Sequence, residues 1–296
     1  MLTLPRDETY NASEAGIAAA YVGDFNRVSS FFVEGWSSLE GIKARALNLR
    51  KVGAFGGIDR VALAKTLVAA MRPLGASAHS IDNAKSIASE DTFCIVTGQQ
   101  ACLAGGPLYV LAKVAHAIAL AKALSGKGVR AVPVFWAASE DHDLDEANLF
   151  TALDAKAKLR RVRVRDLGES AHKAMEALKL PAFEDEDVQS ILHLLGKGPR
   201  REEAIELLRL GLGSSFGVAI NRMLLKLFAD DGLIVVEPRH LRRFAGFREV
   251  IGQEIENPRS VAAALHLRRE ELENRGFHAP LAPSEYLNTF ALISGR

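Results

Sequence analysis

Ser139-Glu-Asp-His-Asp143 places consecutive ionisable side chains directly after the apolar run Val134-Phe-Trp-Ala-Ala138. Crowded at the end of a buried strand, such groups repel one another unless a cation, a substrate ammonium or a neighbouring Lys or Arg compensates, which marks the segment as a candidate site. Glu140 or Asp141 can hold an amine. His142, between Asp141 and Asp143, can act as acid or base, or bind a phosphoryl or hydroxyl group. The competing structural role for Asp141 or Asp143 is to cap the helix that carries Glu146. No second histidine stands at helical or hairpin spacing from His142, so no metal is expected.

A second cluster is Thr97-Gly-Gln-Gln100 followed by Gly105-Gly-Pro-Leu-Tyr109. Gly98, Gly105 and Gly106 would let the backbone approach a ligand, and the amides of Gln99 and Gln100 both donate and accept. A helix opening at Pro107 presents its positive end to an anion, and a phosphate or carboxylate suits it. Tyr109, Lys113 and His116 fall at i, i+4 and i+7, on one helix face, so Tyr109 and Lys113 can extend the anion site. In the plainer reading the glycines make turns, Lys113 is solvated and His116 is a packed or capping residue.

The elements that must position these clusters follow from hydrophobic pattern. Residues 92–97 form a β-branched and aromatic run ending at Gly98, then come a loop, a helix over 107–124 stopped by Gly126 and Gly128, and a second apolar run over 131–138. Both runs are continuous rather than alternating, which predicts a right-handed βαβ unit whose parallel strands are buried on both faces. In open parallel sheets ligands bind outside the carboxyl ends of the strands, where both clusters would sit.

Before this unit, residues 13–74 show helical spacing, broken at Gly53–Gly57 by a segment without GxGxxG order that reads as a loop. After it, residues 149–153 and 159–164 predict an antiparallel hairpin, with Arg160, Arg161, Arg163 and Arg165 on a solvated edge. Helices follow over 184–195, 201–211 and 215–230. Residues 232–237 predict a third core strand closed by Pro238, and the tail from His240 is helical with a last extended piece at 290–293. The fold class is α/β with a parallel sheet. Its parts are a helical portion over 1–90 packing on the core, the βαβ half over 91–149, an inserted α+β segment over 150–212, and a return to the sheet over 213–296.

A chain of 296 residues allows about two domains, or one large domain with an insertion. The 48% hydrophobic and 25% charged residues fit a soluble globular protein, and a net charge of +1 gives no pull toward nucleic acid or an anionic membrane. Any charged site must be local. Cys94 and Cys102 form neither a disulfide scaffold nor a CxxC pair, which fits a reducing cytoplasm. The first ten residues lack the apolar stretch of a signal peptide. The most apolar window, 101–123, is interrupted by Lys113, His116, Lys122 and Gly105-Gly-Pro107, so a buried helix is expected rather than a membrane span. No GxSxG, HExxH or GxxxxGK[ST] supports a serine hydrolase, zincin or P-loop NTPase.

Val96-Thr-Gly-Gln-Gln-Ala-Cys-Leu-Ala-Gly-Gly-Pro-Leu-Tyr-Val-Leu-Ala-Lys113 and Pro133-Val-Phe-Trp-Ala-Ala-Ser-Glu-Asp-His-Asp143 resemble the bacillithiol biosynthesis cysteine-adding enzyme family, with weaker similarity over 215–238 and at Asn288-Thr-Phe. The resemblance implies a Rossmann-like core related to class I aminoacyl-tRNA synthetases, and a C-terminal coiled coil through which the family forms homodimers. It implies a ligase joining the carboxyl of L-cysteine to the amino group of glucosaminyl-malate, with an adenine nucleotide (ATP/ADP) associated. On that basis Asp141, His142 and Asp143 are the expected catalytic groups. Glu140, Gln99, Gln100, Tyr109 and Lys113 are expected to bind substrate, and Gly98, Gly105 and Gly106 the cofactor. The family's chains are longer and Arg296 falls near their middle, so the coiled coil is expected to lie outside this chain. The alternative is a non-catalytic nucleotide- or small-molecule-binding remnant.

Overall fold

The computed structural model describes residues 16–281 except 34, 36, 37, 54, 55, 155, 169–172 and 280; the extended piece expected at 290–293 lies outside them. The described residues divide into two compact units, one from Gly57 to Phe247 and one made of the residues up to Gly56 and from Arg248 onward. The latter begins with α1 (Ile17–Gly23) and α2 (Leu39–Lys51), where the Ser38 side chain caps α2 by accepting from the Gly41 N–H at 3.0 Å. Its small core gathers Ala20, Val28 and Phe277.

The Gly57–Phe247 unit opens with α3 (Arg60–Met71) and α4 (Ala78–Ser86), capped by Asp59 and Ser77. Leu67, Met71, Ile81 and Ala84 bury their apolar stripes in this unit's core. The helical portion expected over 1–90 divides between the two units, α1 and α2 in one and α3 and α4 in the other.

Next come β1 (Phe93–Gln100), α5 (Leu108–Ser125) and β2 (Ala131–Ala138). β1 and β2 pair in parallel from Phe93↔Ala131 to Gln100↔Ala138. The first strand thus runs past the expected end at Gly98, because Trp136, Ala137 and Ala138 offer partners to Gly98, Gln99 and Gln100. α5 buries Val110, Val114, Ala117, Ile118, Ala121 and Leu124, the stripe that packs it on β1 and β2. Among the described residues it is the one helix long and apolar enough to cross a membrane.

After α6 (Leu144–Ala147), β3 (Phe150–Leu153) and β4 (Leu159–Val162) form a separate antiparallel pair, Phe150 facing Val162. Its arginines are exposed as expected, and three of them have acidic partners, Arg160 with Asp154 at 2.8 Å, Arg163 with Asp145 at 2.6 Å and Arg165 with Asp187 at 2.8 Å. The chain continues through α7 (Glu186–Leu194), α8 (Arg201–Arg209) and α9 (Phe216–Leu227) to β5 (Ile234–Val236) and α10 (Pro238–Leu241). It then enters α11 (Ala245–Glu256) and α12 (Pro258–Asn274).

β5 pairs in parallel with β2, Val134↔Ile234 to Trp136↔Val236, giving the strand order β1-β2-β5. This order corrects one expectation. β2 is central and nearly all buried, whereas β1 is an edge strand that leaves Cys94 exposed and Val96 60% exposed. All three strands nevertheless point their carboxyl ends the same way, so Gln100, Ser139 and Glu237 reach one rim.

Candidate functional site at the carboxyl rim of the parallel sheet

The two sequence clusters meet at this rim. The Gln100 side-chain amide donates to Asp141 Oδ2 at 2.8 Å, joining the end of β1 to the turn after β2. Behind it, Gln99 Nε2 donates to Gln100 Oε1 at 3.4 Å, and Lys113 Nζ donates to Gln99 Oε1 at 3.0 Å and to the Gly98 carbonyl at 3.3 Å. A donor-only cation at one end and an acceptor-only carboxylate at the other fix both amide orientations. Lys113 also lies 4.8 Å from the centroid of the half-exposed Tyr109 ring, as its place one helical turn along α5 requires. His116 is exposed on α5 rather than packed.

The acidic segment splits into distinct environments. Asp141 Oδ1 accepts from the Asp143 N–H at 2.9 Å. Burial raises its pKa, but the backbone N–H groups of Asp143 and His142, the Gln100 amide and the charge of His142 outweigh that, and the carboxyl ends below its ordinary value. Glu140 is the opposite case: burial pushes it up, and the charges of Asp141 and Glu176 add to the shift. Its Oε2 is buried without a hydrogen-bond partner. Asp143 caps α6, accepting from the Glu146 N–H at 3.0 Å, the structural role weighed against catalysis for this residue. His142 and Asp143 are exposed.

The expected cofactor glycines have packing reasons of their own. A Cβ on Gly98 would lie 2.8 Å from the Trp136 carbonyl oxygen, so β2 packs against the place a side chain would take. Gly105 and Gly106 have φ of +86° and +76°, and added carbons there would run into Met223 and Cys102. Their N–H groups donate to Cys102 and Leu103 carbonyls at 3.3 and 3.0 Å. These contacts and hydrogen bonds give the glycines a part in shaping the turn that leads into α5, where Tyr109 and Lys113 stand. The buried Cys102 thiol is pushed up to about 12 by burial and by the charges of Glu146 and Asp141, so it is no nucleophile at neutral pH.

Sequence reasoning missed a third group. Glu237, at the end of β5, is fully buried and accepts from Ser139 Oγ at 2.9 Å and from Asn221 Nδ2 at 3.1 Å, while its Oε2 pairs with Arg239 at 2.9 Å. Any side chain on Gly217 of α9 would overlap this carboxylate. Glu176 lies alongside, because its N–H donates to the Ser139 carbonyl at 2.8 Å and the Met175 N–H to that of Asp141 at 2.9 Å. Arg242 pairs with Glu176 Oε1. Burial holds the pKa of His240 below its ordinary value, so the imidazole is neutral at pH 7. A carboxylate directly after the third apolar strand is the same signal that marked Glu140, and Glu237 carries it too.

Comparison with known proteins agrees with the Rossmann-like α/β core. The model of the family described as Bacillithiol biosynthesis BshC, N-terminal Rossmann-like domain, matches residues 6–296. Proteins named Putative cysteine ligase BshC from Symbiobacterium thermophilum and Koribacter versatilis are 30% and 33% identical to it, over 96% and 75% of this chain and 53% and 41% of their own. The protein of the same name from Bacillus cytotoxicus is 29% identical over 88% of this chain and 48% of its own. The chain thus spans about half the length of these curated relatives. With its Rossmann-like α/β core and parallel sheet, this chain belongs to the family of the bacillithiol biosynthesis BshC N-terminal Rossmann-like domain.

Proposed function

We propose that this chain contributes the amine-binding half of a ligase site that joins the carboxyl of L-cysteine to the amino group of glucosaminyl-malate. The observation that carries the reading is the Gln100–Asp141 hydrogen bond, which brings the two segments into one polar surface at the ligand-binding rim of the sheet. The names of the relatives support a ligase.

An amine nucleophile sheds a proton as it attacks a carbonyl carbon, so a base must stand near it. Of the two carboxylates, Glu140 is the one suited to accept it, because its raised pKa makes it the stronger base and one of its oxygens is uncommitted. Asp141 has both oxygens occupied and acts as the fixed point that holds the turn. As the new C–N bond forms and the bond from the cysteine carbonyl carbon to its leaving group breaks, the amine proton passes to Glu140. His142, exposed at the mouth of the turn, exchanges that proton with solvent. The open first turn of α5, with Tyr109 and Lys113, takes the malate carboxylates or the phosphates of an adenine nucleotide. When bound, such a nucleotide supplies activation of the cysteine carboxyl.

The test is substitution in a full-length relative at the positions matching Asp141 and His142. Alanine at either is expected to lower amide formation, followed by mass spectrometry of the product, by at least about a hundredfold while the far-ultraviolet circular dichroism stays unchanged. Undiminished turnover removes these residues from the reaction.

A further inference from the structure

We infer that Glu140 and Glu176 together form a seat for a primary ammonium group. The inference rests on the proposed reading that this rim receives an amine, and it adds a residue from outside both sequence clusters. Glu176 is not adjacent to Glu140 in sequence; the backbone hydrogen bonds from Met175 and Glu176 to the Asp141 and Ser139 carbonyls bring it there, one on either side of Glu140. The Glu176 side chain is 9% exposed. One of its oxygens pairs with Arg242, while Oε2 is buried with no hydrogen-bond partner, as is Glu140 Oε2. Two buried acceptor atoms left unsatisfied on neighbouring anions are costly, and a ligand that brings only donors and a positive charge removes that cost.

The surrounding charges point the same way. Arg239 is committed to Glu237 and Arg242 to Glu176, Asp141 is held by an amide and by backbone N–H groups, and His240 is neutral at pH 7. Among the described residues Glu140 is left without a cation paired to it. Among the described residues no three His, Cys, Asp or Glu side chains converge as metal ligands do, which favours an ammonium over a metal ion. A primary ammonium has three donors on a compact charge and can bridge two carboxylate oxygens. Both substrates of the proposed ligation carry one, so the test separates them.

Calorimetry on the whole chain would compare glucosaminyl-malate with glucosyl-malate, and L-cysteine with 3-mercaptopropionate, each pair differing by the amine. Ethylammonium chloride, against potassium chloride, serves as a minimal probe in thermal unfolding. The expected result is at least a tenfold preference for one amine over its counterpart, falling to within about twofold in Glu176→Gln, with the amine-free ligand bound as before. The pair that shows the preference identifies the source. Glu140→Gln serves as the second variant, with circular dichroism to confirm folding, and should lose the same preference. If the sugar conjugates bind equally well with and without the amine, and L-cysteine shows no preference, the seat is wrong while the substrate reading stands. If neither substrate binds but ethylammonium stabilises the wild type and not Glu176→Gln, the seat stands and the substrate reading falls. No response to any amine, or a preference that survives both substitutions, overturns the seat.

Discussion

Neighbouring carboxylates at the end of β2 are driven apart in character by what surrounds them. Asp141 is surrounded by donors and held low; Glu140 is surrounded by burial and by other acids and held high. This difference has a sign that stability measurements can read. With its pKa raised by folding, Glu140 penalises the native state when charged. The penalty is absent below the unfolded value of about 4.3 and complete above the folded one, so native stability falls as pH rises between them. Glu140→Gln removes the charge and should therefore raise the midpoint of thermal unfolding at pH 8, with the gain shrinking toward zero near pH 4. A gain independent of pH, or a loss at pH 8, would show that Glu140 is not destabilised by its surroundings. The same substitution is expected to slow amide formation in a full-length relative, because a glutamine takes no proton.

At the scale of elements, the rim exists because β2 and β5 end beside α9, and that packing admits no side chain at Gly217. Gly217→Ala forces the Glu237 carboxylate away from Ser139 and Asn221, and overpacking of this kind costs about 1–3 kcal/mol. Urea denaturation should show the loss as a lower midpoint with an unchanged slope; a midpoint equal to wild type would mean that the Glu237 contacts yield freely. Gly98→Ala, which presses on the Trp136 carbonyl, should destabilise by a similar amount with no ligand present, as a packing glycine does and a ligand-approach glycine does not. These contacts also show where the sequence was readable. The run over 131–138, the stripe of α5 and the hairpin could be read because continuous or periodic apolar residues specify them locally. The extension of β1 through Gln100 and its place at the sheet edge could not, since strand pairing supplies both. Glu176 was hidden for a related reason: it sits outside any regular element and reaches Glu140 only through tertiary hydrogen bonds. Asn221 left a fainter trace, a polar residue beside Ile220 on the buried face of α9, where a polar side chain needs a buried partner.

Within the Gly57–Phe247 unit the site is walled unevenly. On the β2–β5 side it is closed by buried polar contacts from Ser139 through Glu237 to Asn221. On the β1 side it opens, with Val96 60%, Leu108 79% and Tyr109 46% exposed at the strand edge and the first turn of α5. Acyl transfer needs both reactants held close and dry, and fixing their geometry is worth about 7–11 kcal/mol of the barrier. A surface enclosed on one side can hold an amine yet leave the second reactant and the surrounding water poorly controlled. Incubated with L-cysteine, ATP and glucosaminyl-malate, this chain should therefore bind the amino-sugar by calorimetry while forming the amide at least about a thousandfold more slowly than a full-length relative. The two would then share the same amine preference but not the same turnover. Turnover equal to that of the longer protein would mean that the residues between Gly57 and Phe247 enclose both reactants unaided, and that the exposure beside β1 has no bearing on the chemistry.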